Sequence, residues 1–304
     1  MPDETKAAID NLAKEIVTCR REGKPVILFT GAHLIKNGLG PLIIDLIEKN
    51  IFTLVAGNAA TSIHDFELAL QGETSEYVPD ALGKGMFGMA HEFAYMNTAL
   101  KMGNARKWGY GESLGRIIVD LEFRKMVFAE AASEDSWQEF LHPEVSVLAA
   151  CFRHKIPFTV HVGIGVDVID QHPSFDGEAK GGCSGRDFLI FVHEITKFVK
   201  GGVFLNIGSA IQGPEVLLKS VSMAANSGFA PSGIICADFD LREFRPEEMA
   251  DEQKMGYYFR DQKSVVTRIP AAFGGQGIYV QGNQLSTIVY FYQKIMDEIE
   301  RVKS

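Results

Sequence analysis

Six short stretches of this chain place small and polar residues directly after, or at the end of, an apolar run. They are Thr30-Gly31-Ala32-His33, Gly57-Asn58-Ala59, His161-Val162-Gly163, Asn206-Ile207-Gly208-Ser209, Asp238-Phe239-Asp240 and Gln281-Gly282-Asn283. Glycine lets a backbone approach a ligand closely, and the N–H groups that open a following helix favour phosphate. The expected ligand contacts are therefore Gly31, Ala32, His33, Asn58, Ala59, Gly208, Ser209, Gly282 and Asn283. Any one of these breaks is also what an ordinary loop contains, because Gly and Asn suit turns. Their recurrence points to a common site, since ligands of open α/β sheets bind beyond the carboxyl ends of the strands.

Proton chemistry has three candidates. His64, followed by Asp65 at a helix start near Asn58, is an acid–base group near neutral pH, with plain helix capping as the competing reading. His161, at a strand end, is either a catalytic base or a packed core histidine. Asp238, with Asp240, offers negative charge to a cationic substrate such as a polyamine or a basic amino acid. His64, His161 and Asp238 form the expected catalytic set.

Other signals fall short of a motif. Gly83-Lys84-Gly85-Met86-Phe87-Gly88 spells GxGxxG, but the dinucleotide fingerprint needs a preceding strand, and Glu76-Tyr77-Val78-Pro79-Asp80 is a poor one. It reads as a mobile loop beside the site or, less directly, as a dinucleotide contact. The stretch His172-Pro173-Ser174-Phe175-Asp176-Gly177-Glu178 through Gly181-Gly182-Cys183-Ser184-Gly185 is long, polar and glycine-rich, and is expected to be a loop covering a ligand. His91-Glu92 and His193-Glu194 lack the second histidine of HExxH, and no GxSxG is present, so neither a metal nor a serine nucleophile is assigned.

The elements that would position these residues follow a βα rhythm. Apolar runs at Val26–Phe29, Ile51–Val55, Phe158–Val160, Val203–Leu205, Gly233–Ala237 and Ile278–Val280 read as strands. Amphipathic segments at Pro41–Glu48, Ser62–Leu70, Met89–Lys101, Leu114–Ala131, Glu144–Arg153, Arg186–Lys200, Pro214–Ala225 and Leu285–Val302 read as helices. The expected fold is α/β: a single doubly wound Rossmann-like domain over residues 1–304 with a mostly parallel sheet.

Composition excludes several classes. A net charge of −9 argues against a nucleic-acid binder, which needs a basic face. Cys19, Cys151, Cys183 and Cys236 are widely separated, as expected of reduced thiols in a cytoplasmic protein. The polar, acidic start MPDETKAAID is no signal peptide, and no apolar run approaches membrane-spanning length.

The segment Leu28 to Leu70 resembles the first βαβα unit of deoxyhypusine synthase. Leu34-Ile35 and Gly38 match that family's first turn, Asn58-Ala59-Ala60 stands where it has Thr-Ala-Gly, and Asp65 matches the acid that follows. The likeness continues in His142-Pro143-Glu144-Val145, through His154-Lys155-Ile156-Pro157, and from Val203 to Asp240 with Asn226-Ser227-Gly228. It implies an NAD-binding homotetramer with cofactor contacts at these turns, Asp65 among them. The chemistry does not carry over, because the family's catalytic lysine falls at Val266-Thr267-Arg268-Ile269-Pro270. Arg268 stays protonated and cannot form an imine. Lys263 could serve only if the register shifts. The run Gly57-Asn58-Ala59, His64-Asp65 and Glu67 is also similar to a turn in the NAD-dependent ornithine cyclodeaminase module fused to some arginine dihydrolases. Together these readings imply an NAD-binding protein acting on a small amine or amino-acid metabolite. The alternatives are a non-catalytic metabolite sensor or scaffold and aminobutyl transfer through Lys263.

Overall fold

The computed structural model describes residues 1–131 and 139–303. In chain order the elements are α1 (Asp3–Arg21), β1 (Val26–Thr30), α2 (Ala32–Lys36), α3 (Gly40–Glu48), β2 (Leu54–Asn58), α4 (Ala59–Gln71), α5 (Val78–Leu82), α6 (His91–Ala105), α7 (Tyr110–Val119), α8 (Leu121–Glu130), α9 (Val147–His154), β3 (Phe158–His161), α10 (Gly177–Ile195), β4 (Gly202–Ile207), α11 (Gln212–Asn226), β5 (Ile234–Asp240), a π-helical segment (Asp261–Arg268), α12 (Ile269–Ala272), β6 (Gln276–Gln281) and α13 (Gln284–Lys303). The six strands lie in the order β3-β2-β1-β4-β5-β6, that of a doubly wound Rossmann-type sheet. Val26 pairs with Val203, Gly202 with Ile234 and Ile235 with Gln276, all in parallel register. β1 and β4 are buried at every residue, as expected of strands covered on both faces. The fold is the α/β Rossmann-like one expected from the sequence.

Two compact units divide the chain. The first comprises residues 1–56 and 191–304. Its core joins Ile27, Phe29 and Leu54 to Phe191, Phe204, Leu217, Ile234 and Val265. Phe191 meets Phe29 and Phe204 edge-on, with centroids 6.5 and 6.4 Å apart. α1 packs on α13, and the Tyr290 hydroxyl donates to Asp10 at 3.1 Å.

The second unit comprises residues 57–190. Helices dominate it, with Phe66, Phe128 and Phe140 clustered at centroid distances of 5.1 and 6.1 Å. Two buried acids fasten its helices. Asp65 accepts the Val147 and Leu148 N–H groups at 2.7 and 3.1 Å and the Ser146 hydroxyl at 2.6 Å, closing the start of α9. Asp187 accepts the N–H groups of Gly111 at 3.0 Å and Val160 at 2.8 Å.

Several expected elements differ. The second strand starts three residues later than its apolar run, because the Ile51 N–H still closes the end of α3 on the Leu46 carbonyl. The helix expected over Leu114–Ala131 is two helices, broken at Asp120, whose carboxylate caps α8 through the N–H groups of Glu122 and Phe123. The glycine-rich stretch expected as a covering loop is helical from Gly177 onward. Glycine in a helix costs roughly 0.5–1 kcal/mol relative to Ala. That cost is offset where Ala179, Cys183 and Ser184 are buried and where Lys180, buried in full, pairs with Asp167 and Asp170. The GxGxxG run follows α5 rather than a strand and lies in turns, so it is no dinucleotide fingerprint.

Candidate functional site

β1, β4, β5 and β6 end side by side in the first unit, and their carboxyl ends enclose a cavity of about 410 Å³. Strand order reverses between β1 and β4, the place where sheets of this topology bind ligands. The ladder continues past the strands: Gly31 donates to the Ile207 carbonyl at 2.9 Å, Gly208 to Phe239 at 3.2 Å and Gly282 to Asp240 at 2.9 Å. Glycine is favoured at two of these ends. A Cβ on Gly31 would come within 2.2 Å of the Gly208 carbonyl oxygen, and Gly208 has φ +64°.

His33, Gly208, Gly282 and Asn283, all expected from the sequence, line this cavity, together with Asn37, Asp240, Arg242 and Gln284. Gly31 lies behind Gly208 by the close approach just described. Ala32 opens α2 and is half-buried. Ser209 accepts the Gly213 N–H at 2.9 Å and holds the beginning of α11.

Under the cavity sits an acidic cluster. Asp238 (0% exposed), Asp240 and Asp261 each bring one carboxylate oxygen within 4.8 Å of the others. Arg242 serves two of them, forking onto Asp240 and reaching Asp261, with its guanidinium 4.4 Å from the Phe259 ring centre. Burial opposes the charge on Asp240, but Arg242 outweighs it and holds the carboxyl below its ordinary range. Burial pushes Asp261 up to about 6 against the pull of Arg242. Asp238 is raised well above its usual value by burial and then by the charge of Asp261. One Asp238 oxygen accepts the Asn206 amide at 2.7 Å, and the other has no hydrogen-bond partner among the described residues. The cluster thus has a deficit of positive charge that a cationic group, a metal ion or a proton could fill.

The remaining expected residues belong to the second unit. Asn58 caps α4 by accepting the Thr61 N–H at 2.9 Å, and Ala59 is buried in the first turn. Asp65, expected at the cofactor, has both oxygens occupied by the start of α9. His64 lies 2.6 Å from the Thr74 hydroxyl and 3.4 Å from Glu67. His161 is 6% exposed, 3.1 Å from the Thr159 hydroxyl, and burial lowers its pKa to about 3. Such an imidazole stays neutral and packed. It lines none of the cavities described here.

Sequence reasoning missed Arg242 and Asp261. Arg242 stands two residues beyond Asp240 and was visible as a basic residue at an acidic strand end. Asp261 arrives from the π-helical segment, which has no readable periodicity. Lys263, in the same segment, is 4% exposed, donates to the Tyr257 carbonyl at 3.2 Å and lies 3.0 Å from that ring's centre. Burial, then Arg268 and Arg260, lowers its pKa.

No protein-family model matches this chain, and no curated protein matches it. Among solved structures it is similar to the conserved LOR/SDH-type protein of Methanococcus maripaludis S2, with a TM-score of 0.52 and 16% identity over 100% of this chain and 71% of that one. It is also similar to apo ArgZ, an arginine dihydrolase from the ornithine–ammonia cycle in cyanobacteria (TM-score 0.49, 15% identity, 99% of this chain and 32% of that one). A further similar structure is the ternary complex of AgrE with ornithine and NAD+ (0.48, 14%, 99% and 34%). The chain spans about a third of the length of ArgZ and AgrE. At these identities, the likeness to the Methanococcus protein shows a shared α/β fold.

Proposed function

We propose that this chain binds NAD in the cavity between the ends of β1 and β4 and transfers hydride to or from the amine- or hydroxyl-bearing carbon of a small cationic metabolite. The observation that carries this reading is a cavity of about 410 Å³ at the reversal of strand order, with glycine at the ends of β1 and β4 and an under-neutralised acidic cluster beside it. The residues fit such a group: bare backbone at Gly208 and Gly282, and Asn283 at the opening of the long helix α13, suit a pyrophosphate. When bound, the nicotinamide supplies the hydride acceptor or donor. Asp240 attracts the substrate's cationic group, with Asp238 behind it. A proton must leave as the hydride leaves, and His33 is the imidazole that lines the cavity. His64 belongs to the second unit, where Thr74 and Glu67 hold it, and has no part in this reading. His161 has a packing role on this reading. The chain works as a cytoplasmic homo-oligomer, a tetramer in the family it resembles.

Ligand-dependent melting tests the proposal. A dinucleotide at 100 times its dissociation constant adds about 2.7 kcal/mol of stability. Unmoved melting curves in millimolar NAD, NADH, NADP and NADPH would remove the dinucleotide reading and leave the metabolite sensor.

One observation favours a second reading. Lys263 is a buried amine whose pKa is lowered by burial and by Arg268 and Arg260, the direction that favours an imine-forming lysine. A borohydride-trapped adduct on Lys263 in the presence of spermidine and NAD would support deoxyhypusine synthase-type aminobutyl transfer. Its absence is the expected result.

A further inference from the structure

The second unit has a larger cavity that the proposed function does not use. It measures about 500 Å³ and opens at the amino end of β3, the opposite end of that strand from His161. Its walls are mostly apolar: Leu148, Cys151 and Phe152 come from α9, Ile156 from the connection and Phe158 from the start of β3. Small-molecule sites span roughly 300–1,000 Å³, are mostly apolar and carry a few placed polar groups.

The charged groups here are two cations and two acids. Arg153 and Lys155 line the cavity and are exposed, and neither side chain has a hydrogen bond or ion pair among the described residues. The cavity's two acids do not answer them. Glu112 pairs with Arg116 at 3.0 Å, and Asp187 is engaged by the Gly111 and Val160 N–H groups.

Lys155 also has an unusual backbone. It terminates α9 with φ +56° and ψ 31°, the left-handed conformation in which helices favour glycine. Its N–H meets the Phe152 carbonyl at 3.3 Å, as any residue's would. Charge at the helix C-terminus is favourable, but Arg153 and His154 already supply it.

We infer that this cavity binds an amphipathic anion, its apolar body against Leu148, Phe152 and Ile156 and its anionic head on Arg153 and Lys155. The site is independent of the dinucleotide reading, and its failure would leave that reading intact.

Decanoate, decanol and decylamine, below their aggregation concentrations, are the probes, titrated calorimetrically into the full chain. Decanoate should bind about tenfold tighter than decanol, the difference one charge-assisted hydrogen bond makes, and decylamine should not bind. Arg153→Gln and Lys155→Gly should each weaken decanoate by a similar factor. Lys155→Gly should at the same time raise the melting temperature, because glycine relieves the left-handed backbone. Weaker binding in a more stable protein cannot be attributed to unfolding. Equal affinity for decanoate and decanol, or unchanged decanoate binding in both variants, would overturn the inference. So would light scattering that shows a dimer split by Ile156→Asp, which would make the cavity a contact between copies.

Discussion

Asp65 and Asp187 in one unit, and Asp238 and Asp261 in the other, share a side chain and near-complete burial, yet differ in how their oxygens are satisfied. Asp65 and Asp187 accept backbone N–H groups that no other side chain serves. Asp238 accepts one amide and leaves an oxygen bare, and Asp261 shares Arg242 with Asp240 beside a cavity. A buried acid saturated by backbone donors holds the fold, and its removal leaves the donors unpaired. A buried acid with unmet valence beside a cavity adds little to the fold and is available to a ligand.

The largest expected effect that sharpens this contrast is on pH dependence. Burial raises Asp187 to about 7 and Asp65 to about 6, against the N–H donors that pull the other way. These values lie above the unfolded value of about 3.9, so the stability the acids contribute is full below that pH. It is lost progressively from about pH 4 up to the folded pKa of each acid, about 6 for Asp65 and about 7 for Asp187, by on the order of 4 kcal/mol in total for Asp187. Urea unfolding between pH 4 and 8 should show this loss, and Asp187→Asn should flatten it. An unchanged slope in the variant would assign the dependence to other groups.

Next in size is Asp65→Ala, which strands two backbone N–H groups and the Ser146 hydroxyl at α9. A loss of about 3 kcal/mol is expected in urea unfolding. Any melting shift caused by NAD should survive, since Asp65 serves the fold on this account; loss of the shift would return it to the cofactor site.

Gly31→Ala places a Cβ 2.2 Å from the Gly208 carbonyl, between two backbones that cannot give way easily. The expected cost is about 2 kcal/mol, with the NAD melting shift abolished. A variant that keeps both would break the link between the strand-end approach and the site.

Smallest and opposite in sign is Asp238→Asn. The amide oxygen still accepts from Asn206, while the charge that burial and Asp261 disfavour is gone. The raised pKa means the wild type loses stability as pH rises, so the variant should melt a few degrees higher at pH 8. A lower melting temperature would place Asp238 with Asp65 as a structural acid.

Much of this was legible in the sequence, and the failures have identifiable causes. The Gly31 and Gly208 turns were readable because an apolar run ending in glycine is a local signal. The loop expected at Gly177–Gly185 failed because burial around Lys180 overrides weak helix propensity. The break at Asp120 was a cap hidden within a continuous apolar period.

By itself the sequence determined the six strands, most of the helices between them and the glycines at strand ends, because period, turn chemistry and capping act over a few residues. Tertiary structure alone decided which strand ends share a cavity, that Asp65 fastens α9, and that Asp261 meets Arg242 across 19 residues of irregular chain. Those outcomes depend on burial and on competition for each hydrogen-bond donor, and neither exists until distant segments meet.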